Sequence, residues 1–111
     1  MKIASEIHDD YIIFHIEGSL SIEHLSDFED ILQSHLKYER HLVLDLTEVR
    51  FIDSSSLGII VLFFTKLRDI QKHLLLTNIK NDIFQMFNLT GISKQIHCFK
   101  TIDEALSFLN K

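Results

Sequence analysis

Between residues 11 and 36 the apolar side chains change their spacing. Tyr11 to Ile16 is an apolar run, β-branched or aromatic except for His15, whereas Ile22, Leu25, Phe28, Leu32 and Leu36 recur every third or fourth residue. The first pattern suits a strand buried on at least one side. The second suits an amphipathic helix, with Glu23, Asp27, Glu29, Asp30 and Lys37 turned to water and Ser21 as its opening cap. The same switch repeats along the chain. Strands alternating with helices at this spacing imply an α/β domain whose strands pair largely in parallel.

The remaining segments extend that reading. Lys2 to Ile7 alternates weakly and is followed by the turn residues His8, Asp9 and Asp10, which predicts a short antiparallel edge strand. Gly18 is expected to end the second strand. His41 to Leu46 reads as the third strand, Thr47 to Ile52 as a link, and Ser54 to about Ile70 as a helix. Leu74 to Thr77 is a further strand, and Ile83, Phe84, Met86, Phe87 and Leu89 mark a short helix. Gly91, followed by the apolar Ile92, suits a Schellman ending to that helix. Gln95 to Phe99 is expected to be the last strand. Thr101 and Glu104 then have capping-box spacing, ahead of a helix with Ile102, Ala105, Leu106 and Leu109 on its core face. The fold expected is one small α/β domain over residues 1–111, with a mixed, largely parallel sheet of four to five strands and about four helices.

Composition excludes several function classes. Hydrophobic residues make up 46% and charged residues 24% of the 111, as in one ordinary soluble domain with no room for a second. Eleven Lys and Arg against 16 Asp and Glu give a net charge of −5, and the basic residues are scattered, so a nucleic-acid partner is not expected. No apolar run approaches the ~20 residues that cross a bilayer, and the first residues lack a signal-peptide core; no membrane insertion and a cytoplasmic location are expected. The single Cys98 agrees with a reducing compartment. Without proline and with three glycines, nothing marks a linker. The seven histidines contain no i, i+4 pair, and there is no CxxC, P-loop or nucleophile-elbow pattern. No metal, cofactor or catalytic residue is therefore expected.

The segment that points to function is Leu44-Asp45-Leu46, a short spacer, Phe51-Ile52, then Asp53-Ser54-Ser55-Ser56-Leu57-Gly58. Asp53 is a natural N-cap, able to accept from the backbone N–H of Ser55 or Ser56. The free N–H groups of the first turn and the positive end of the helix dipole make the place receptive to an anion. A phosphoserine here would carry a charge of about −1.5 to −2 beside the Asp53 carboxylate, and would repel a partner fitted to the neutral hydroxyl. On spacing alone, Asp53 and the serines also read simply as a helix cap.

This run resembles the signature of the STAS domain as found in bacterial anti-sigma factor antagonists. The resemblance extends over the chain: an opening strand pair with Gly18, an acidic amphipathic helix, the signature strand and helix, the Asn88-Leu89-Thr90-Gly91-Ile92 segment, and a last strand and helix. It implies a non-enzymatic module that binds an anti-sigma factor with serine kinase activity and so releases a sigma factor. By position it implies Ser54 as the phosphorylation site, with a serine phosphatase as a further partner. Asp53 is its conformational support, and Ser55, Ser56, Leu57, Gly58 and Ser21 are implied to lie at the partner contact. Two departures stand out. Ser56 occupies a place where the family often has glycine, making it a rival phosphosite or a hindrance, and Gly18-Ser19-Leu20-Ser21 lacks the acidic residues common in that loop. The alternative is a STAS scaffold subunit of a larger stress-signalling or lipid-transport assembly, without the switch.

The helix after the motif is apolar around its circumference, with Leu57, Ile59, Ile60, Val61, Leu62, Phe63 and Phe64 in sequence. Either neighbouring helices cover what the sheet does not, or an apolar patch beside Ser54 awaits a partner. An enzyme would need a pocket uniting Asp53, a histidine and a serine, which no spacing here demonstrates.

Overall fold

The computed structural model of the protein describes residues 1–110; Lys111, the last residue of the expected domain, lies outside the described residues. Five strands form one sheet in chain order: β1 (Lys2–Ile7), β2 (Tyr11–Leu20), β3 (His41–Ile52), β4 (Leu74–Thr77) and β5 (Cys98–Phe99). β1 runs antiparallel to β2, and the other pairs are parallel. A parallel pair requires a crossover, which helices supply. A single 3-10 turn (Ile22–His24) and α1 (Leu25–Leu36) join β2 to β3, α2 (Ser54–Asp69) joins β3 to β4, and α3 (Asn81–Thr90) with α4 (Ile92–Gln95) joins β4 to β5. α5 (Ile102–Leu109) closes the described chain. The α/β expectation and its mixed, mostly parallel sheet hold.

Alternation along the strands sends side chains to opposite faces. Ile12, Phe14 and Ile16 of β2, Leu42, Leu44 and Leu46 of β3, and Leu74 and Leu76 of β4 join Phe28 and Leu32 of α1, Phe63 of α2 and Phe87 of α3 in the main core. Ile13, Val43 and Leu75 face the other way and meet Ala105 of α5, with Ile102, Leu106 and Leu109 packed around them. Ala105, Leu106, Ile102 and Leu109 are thus the core face expected of that helix, and Thr101 caps it by accepting from the Glu104 N–H at 3.1 Å.

Several boundaries differ from the sequence reading. β2 does not end at Gly18: it continues to Leu20, with Gly18 at φ +103° inside the strand and register shifts after His15 and after Gly18. β3 likewise absorbs the expected link and runs to Ile52. Gln95 belongs to α4 instead of the last strand, because Ile92 and Ile96 lie four residues apart and both bury into the main core. Gly91 does take the left-handed conformation expected at a helix end, at φ +82°, but α4 starts at once after it.

The question left by the apolar helix is settled by neighbours. Leu57, Ile60, Phe63 and Leu67 of α2 are buried, and Ile59, Val61 and Phe64 are half-buried against the same core, with α1 packed alongside. Leu62 alone of the run from Leu57 to Phe64, Gly58 apart, is exposed.

Candidate functional site

β3 delivers the motif to the end of the sheet, and Asp53 turns the chain from strand into helix. Its backbone is extended (φ −94°, ψ 174°), its carbonyl already accepts from the Leu57 N–H at 3.1 Å, and its side chain caps α2. Oδ1 accepts from the Ser56 N–H at 2.9 Å and from the Ser55 hydroxyl at 2.7 Å. Oδ2 reaches across to the start of the β2–α1 connection and accepts from the Ile22 N–H at 2.8 Å. The Asp53 N–H also donates to the Leu20 carbonyl at 3.0 Å. One aspartate therefore holds two connections together at the same end of the sheet. The Ser56 N–H, then the Ser55 hydroxyl and the Ile22 N–H, favour the ionised carboxylate and lower its pKa to about 2.

The three serines have different surroundings. Ser54 is exposed, and among the described residues its hydroxyl has no hydrogen-bond partner. The Ser55 hydroxyl is committed to Asp53. Ser56 is 1% exposed. This corrects the expectation for Ser56, because a side chain packed beneath the first turn can neither meet a partner nor compete for a phosphate. Leu57, at 5% exposure, is corrected for the same reason: it belongs to the core. Gly58 is exposed, and a Cβ added there would meet nothing within 4 Å, so packing on its own sheet does not require glycine. Ser21 precedes the 3-10 turn in extended conformation but makes no side-chain cap. The Asp53 carboxylate serves that turn instead.

Sequence reasoning missed two residues beside this site. Ile22 was expected in the core yet is 70% exposed, and Phe51 is 53% exposed two residues before Asp53. Ile22 leaves the core because its N–H is drawn to Asp53 in a 3-10 turn, so the regular helical period begins only at Leu25.

Matching against protein families then places the fold. The STAS domain family model matches residues 2–105. The chain belongs to the STAS domain family. Among relatives of this STAS domain is the anti-sigma-B factor antagonist of Listeria monocytogenes, 32% identical over 97 residues, which span 84% of this chain and 85% of the relative. A solved anti-sigma factor antagonist from Mycobacterium paratuberculosis superposes with a TM-score of 0.89 at 22% identity, over 99% of this chain and 94% of the other, which speaks to the fold. SpoIIAA, an anti-sigma factor antagonist and Bacillus cell fate determinant, shares the fold in its unphosphorylated and phosphorylated forms. The TM-scores are 0.78 and 0.75 at 13% and 14% identity, covering 98% and 97% of this STAS domain and 98% and 99% of those chains.

Elsewhere on this STAS domain, a polar group stands on the sheet face that α5 leaves open. His15 of β2 pairs in register with Asp45 of β3, and its Nδ1 lies 2.6 Å from Asp45 Oδ2 while its Nε2 lies 3.2 Å from Glu6 Oε1 of β1. Asp45 Oδ1 accepts further from the Thr47 hydroxyl at 2.6 Å and from the Asn78 amide at 3.1 Å. The hydrogen bond to Asp45 raises the His15 pKa, and Glu6 adds to it, against the opposing effect of burial. Burial alone would raise Asp45, but hydrogen bonds from Thr47, His15 and Asn78 bring it below the usual carboxylate value. Among the described residues the histidine–carboxylate contacts involve Glu6, Asp10 and Asp45, not Asp53. No group of three His, Cys, Asp or Glu residues there is arranged to hold a metal ion, and no helix is long and apolar enough to cross a membrane.

Proposed function

We propose that this protein is an anti-sigma factor antagonist switched by phosphorylation of Ser54. It is a cytoplasmic binding module with no catalytic residues of its own. Unphosphorylated, it binds an anti-sigma factor that is also a serine kinase, and a sigma factor is thereby released; a serine phosphatase restores the binding form. The observation that carries this reading is the contrast among the motif hydroxyls. Ser56 is buried and Ser55 is held by Asp53, which leaves Ser54 as the exposed, uncommitted acceptor at the helix start. The name of the Listeria relative supports the same assignment.

The chemistry follows from where Ser54 stands. The kinase would transfer the γ-phosphoryl group of ATP to Oγ, breaking the γ-phosphorus bond to the β–γ bridging oxygen and releasing ADP, while Oγ gives up its proton. The product is close to a dianion at the first position of α2, near first-turn N–H groups but beside Asp53, whose carboxylate is ionised at neutral pH. The domain can hold this charge without moving its core. A partner seated over Ser54 cannot, because it must desolvate the phosphate and approach a doubled negative charge. Asp53 is the support for the acceptor, and the contact surface comprises Ser54, Ser55, Gly58 and Ser21. Exposed Ile22 and Phe51 are the apolar anchors beside them. At Gly58, the open space permits close approach of a partner's backbone.

Two measurements test this. Mass spectrometry of the protein isolated from its own cells should place phosphate on Ser54; phosphate on Ser55 or Ser56 instead would sink the assignment. In pull-downs with the anti-sigma factors of the same cell, Ser54→Ala should remain bound and Ser54→Glu should be lost. Equal retention of both variants, with Ser54 unmodified in cells, would favour the constitutive scaffold subunit.

A further inference from the structure

The outer edge of β1 is regular, exposed and unblocked. β1 lies at the end of the sheet and pairs with β2 from Lys2 to Ile7 without a bulge, and the chain has no proline to interrupt it. An edge of this kind is a template for another strand unless something covers it. The direction of its free groups follows from the hairpin. The His8 N–H donates to the Tyr11 carbonyl at 2.9 Å, so antiparallel alternation turns the backbone groups of Lys2, Ala4 and Glu6 toward β2. Those of Ile3, Ser5 and Ile7 are left facing outward.

We propose that this edge pairs with β1 of a second copy of the same chain, in antiparallel register about a two-fold axis at Ala4. The side chains select both the occupant and the register. With Ala4 opposite Ala4, Lys2 of each copy faces Glu6 of the other, Ile3 faces Ser5, and Ile7 faces Met1. The edge then carries two opposite-charge pairs, one pair of small residues at the centre, two Ile3–Ser5 pairs, and apolar contacts at both ends. Ile7, now 56% exposed, gains Met1 on the side of the sheet that carries the main core, against which Met1 already packs. Ile3 and Ser5 present the outward backbone groups, so the N–H and C=O of each meet their counterparts across the axis. Neighbouring registers that also match these backbone groups oppose Lys2 to Ala4 or to His8 and lose both charge pairs. Glu6 already receives His8 and His15, but a carboxylate has room for a further donor, and its side chain is 51% exposed.

The result is a two-fold dimer with one continuous sheet of ten strands, twice the five of one copy. β1 pairs with β2 no further than Glu17, whereas Asp53 is held at Leu20, so the edge contact and the Ser54 surface are separate. The dimer therefore does not depend on the phosphorylation reading.

Light scattering with size-exclusion chromatography over a concentration series tests the proposal. The wild-type protein should approach twice the mass of one chain as concentration rises. Lys2→Glu and Glu6→Lys, each placing like charges opposite one another twice per dimer, should weaken association about tenfold or more. The double exchange Lys2→Glu with Glu6→Lys restores opposite charges and should restore the dimer, while circular dichroism reports that each variant is folded. A wild-type protein of single-chain mass at every concentration overturns the dimer. Single exchanges that leave association unchanged, or a double exchange that fails to rescue it, overturn the register.

Discussion

Asp53 acts on both sides of the strand–helix junction, so its loss should exceed that of an ordinary cap. Asp53→Ala removes the acceptor for the Ser56 N–H, the Ser55 hydroxyl and the Ile22 N–H together. The expected result is a larger fall in the urea denaturation midpoint than loss of an ordinary single-bond N-cap would give. The protonation sign is fixed by the same contacts. The folded pKa of about 2 lies below the ordinary carboxylate value near 4, so the contribution is complete above about pH 4 and disappears as pH falls through 2. His15 has the opposite sign. Its pKa is raised by Asp45 first and Glu6 second, so its contribution is full below an ordinary histidine value of about 6.5 and fades as pH rises through the folded value. With the ring 38% exposed the effect is screened, about 1 kcal/mol or less. Thermal melts of wild type and His15→Gln should therefore differ more at about pH 6 than at about pH 9. An unchanging difference would mean that the ring is held by packing and not by its charge.

At the scale of elements, the three glycines fall into two roles. Gly18 at φ +103° and Gly91 at φ +82° occupy conformations that a side chain strains, so Gly18→Ala and Gly91→Ala should each destabilise by about 1 kcal/mol or more. Gly58 sits in the interior of α2 with open space where a Cβ would go, and Gly58→Ala should instead stabilise by about 0.5–1 kcal/mol in chemical denaturation. If Gly58 is kept for a partner, the same variant binds the anti-sigma factor less tightly while melting later. A variant both more stable and equally well bound would remove Gly58 from the contact. The elements also show what the sequence made legible. α1 and α5 could be read because their apolar residues keep one helical period, and α2 and β4 because each holds an unbroken apolar run between polar turns. β3 could not be read past Leu46 because its buried residues there are Leu46, Val49 and Ile52, three apart, with the pairing to β2 shifted twice. Those shifts change which face a side chain takes, and a search for strict alternation sees only a polar link. The Asp53–Ser54 pair was legible as a cap because capping is local. That Ile22 would be drawn out to it was not, since the partners are 31 residues apart.

At the scale of the molecule, the sheet is covered unequally on its two faces. Four helices bury one face in a core that includes Phe14, Phe28, Phe63 and Phe87, while the other face holds a small cluster under α5 and the open polar group around His15. Stability should divide along the same line, because local opening is easiest where the fewest apolar contacts are lost. α5 contributes one fully buried side chain, Ala105, and its neighbour β5 is two residues long. Amides of α5 and β5 should therefore exchange with solvent through a partial opening that costs less than global unfolding. Those of β2 and β3 at Ile12–Phe14 and Leu42–Leu44 should exchange only when the whole domain unfolds. Native-state hydrogen exchange in low denaturant separates the two, since the partial opening has a smaller dependence on denaturant than the global one. Protection in α5 equal to that in β3, with the same denaturant dependence, would show that both faces open as one unit. Asp53 and the start of α2 belong to the better-covered face, so opening of α5 leaves the Ser54 site in place. Ala105→Gly should accordingly lower the protection of α5 without changing that of α2.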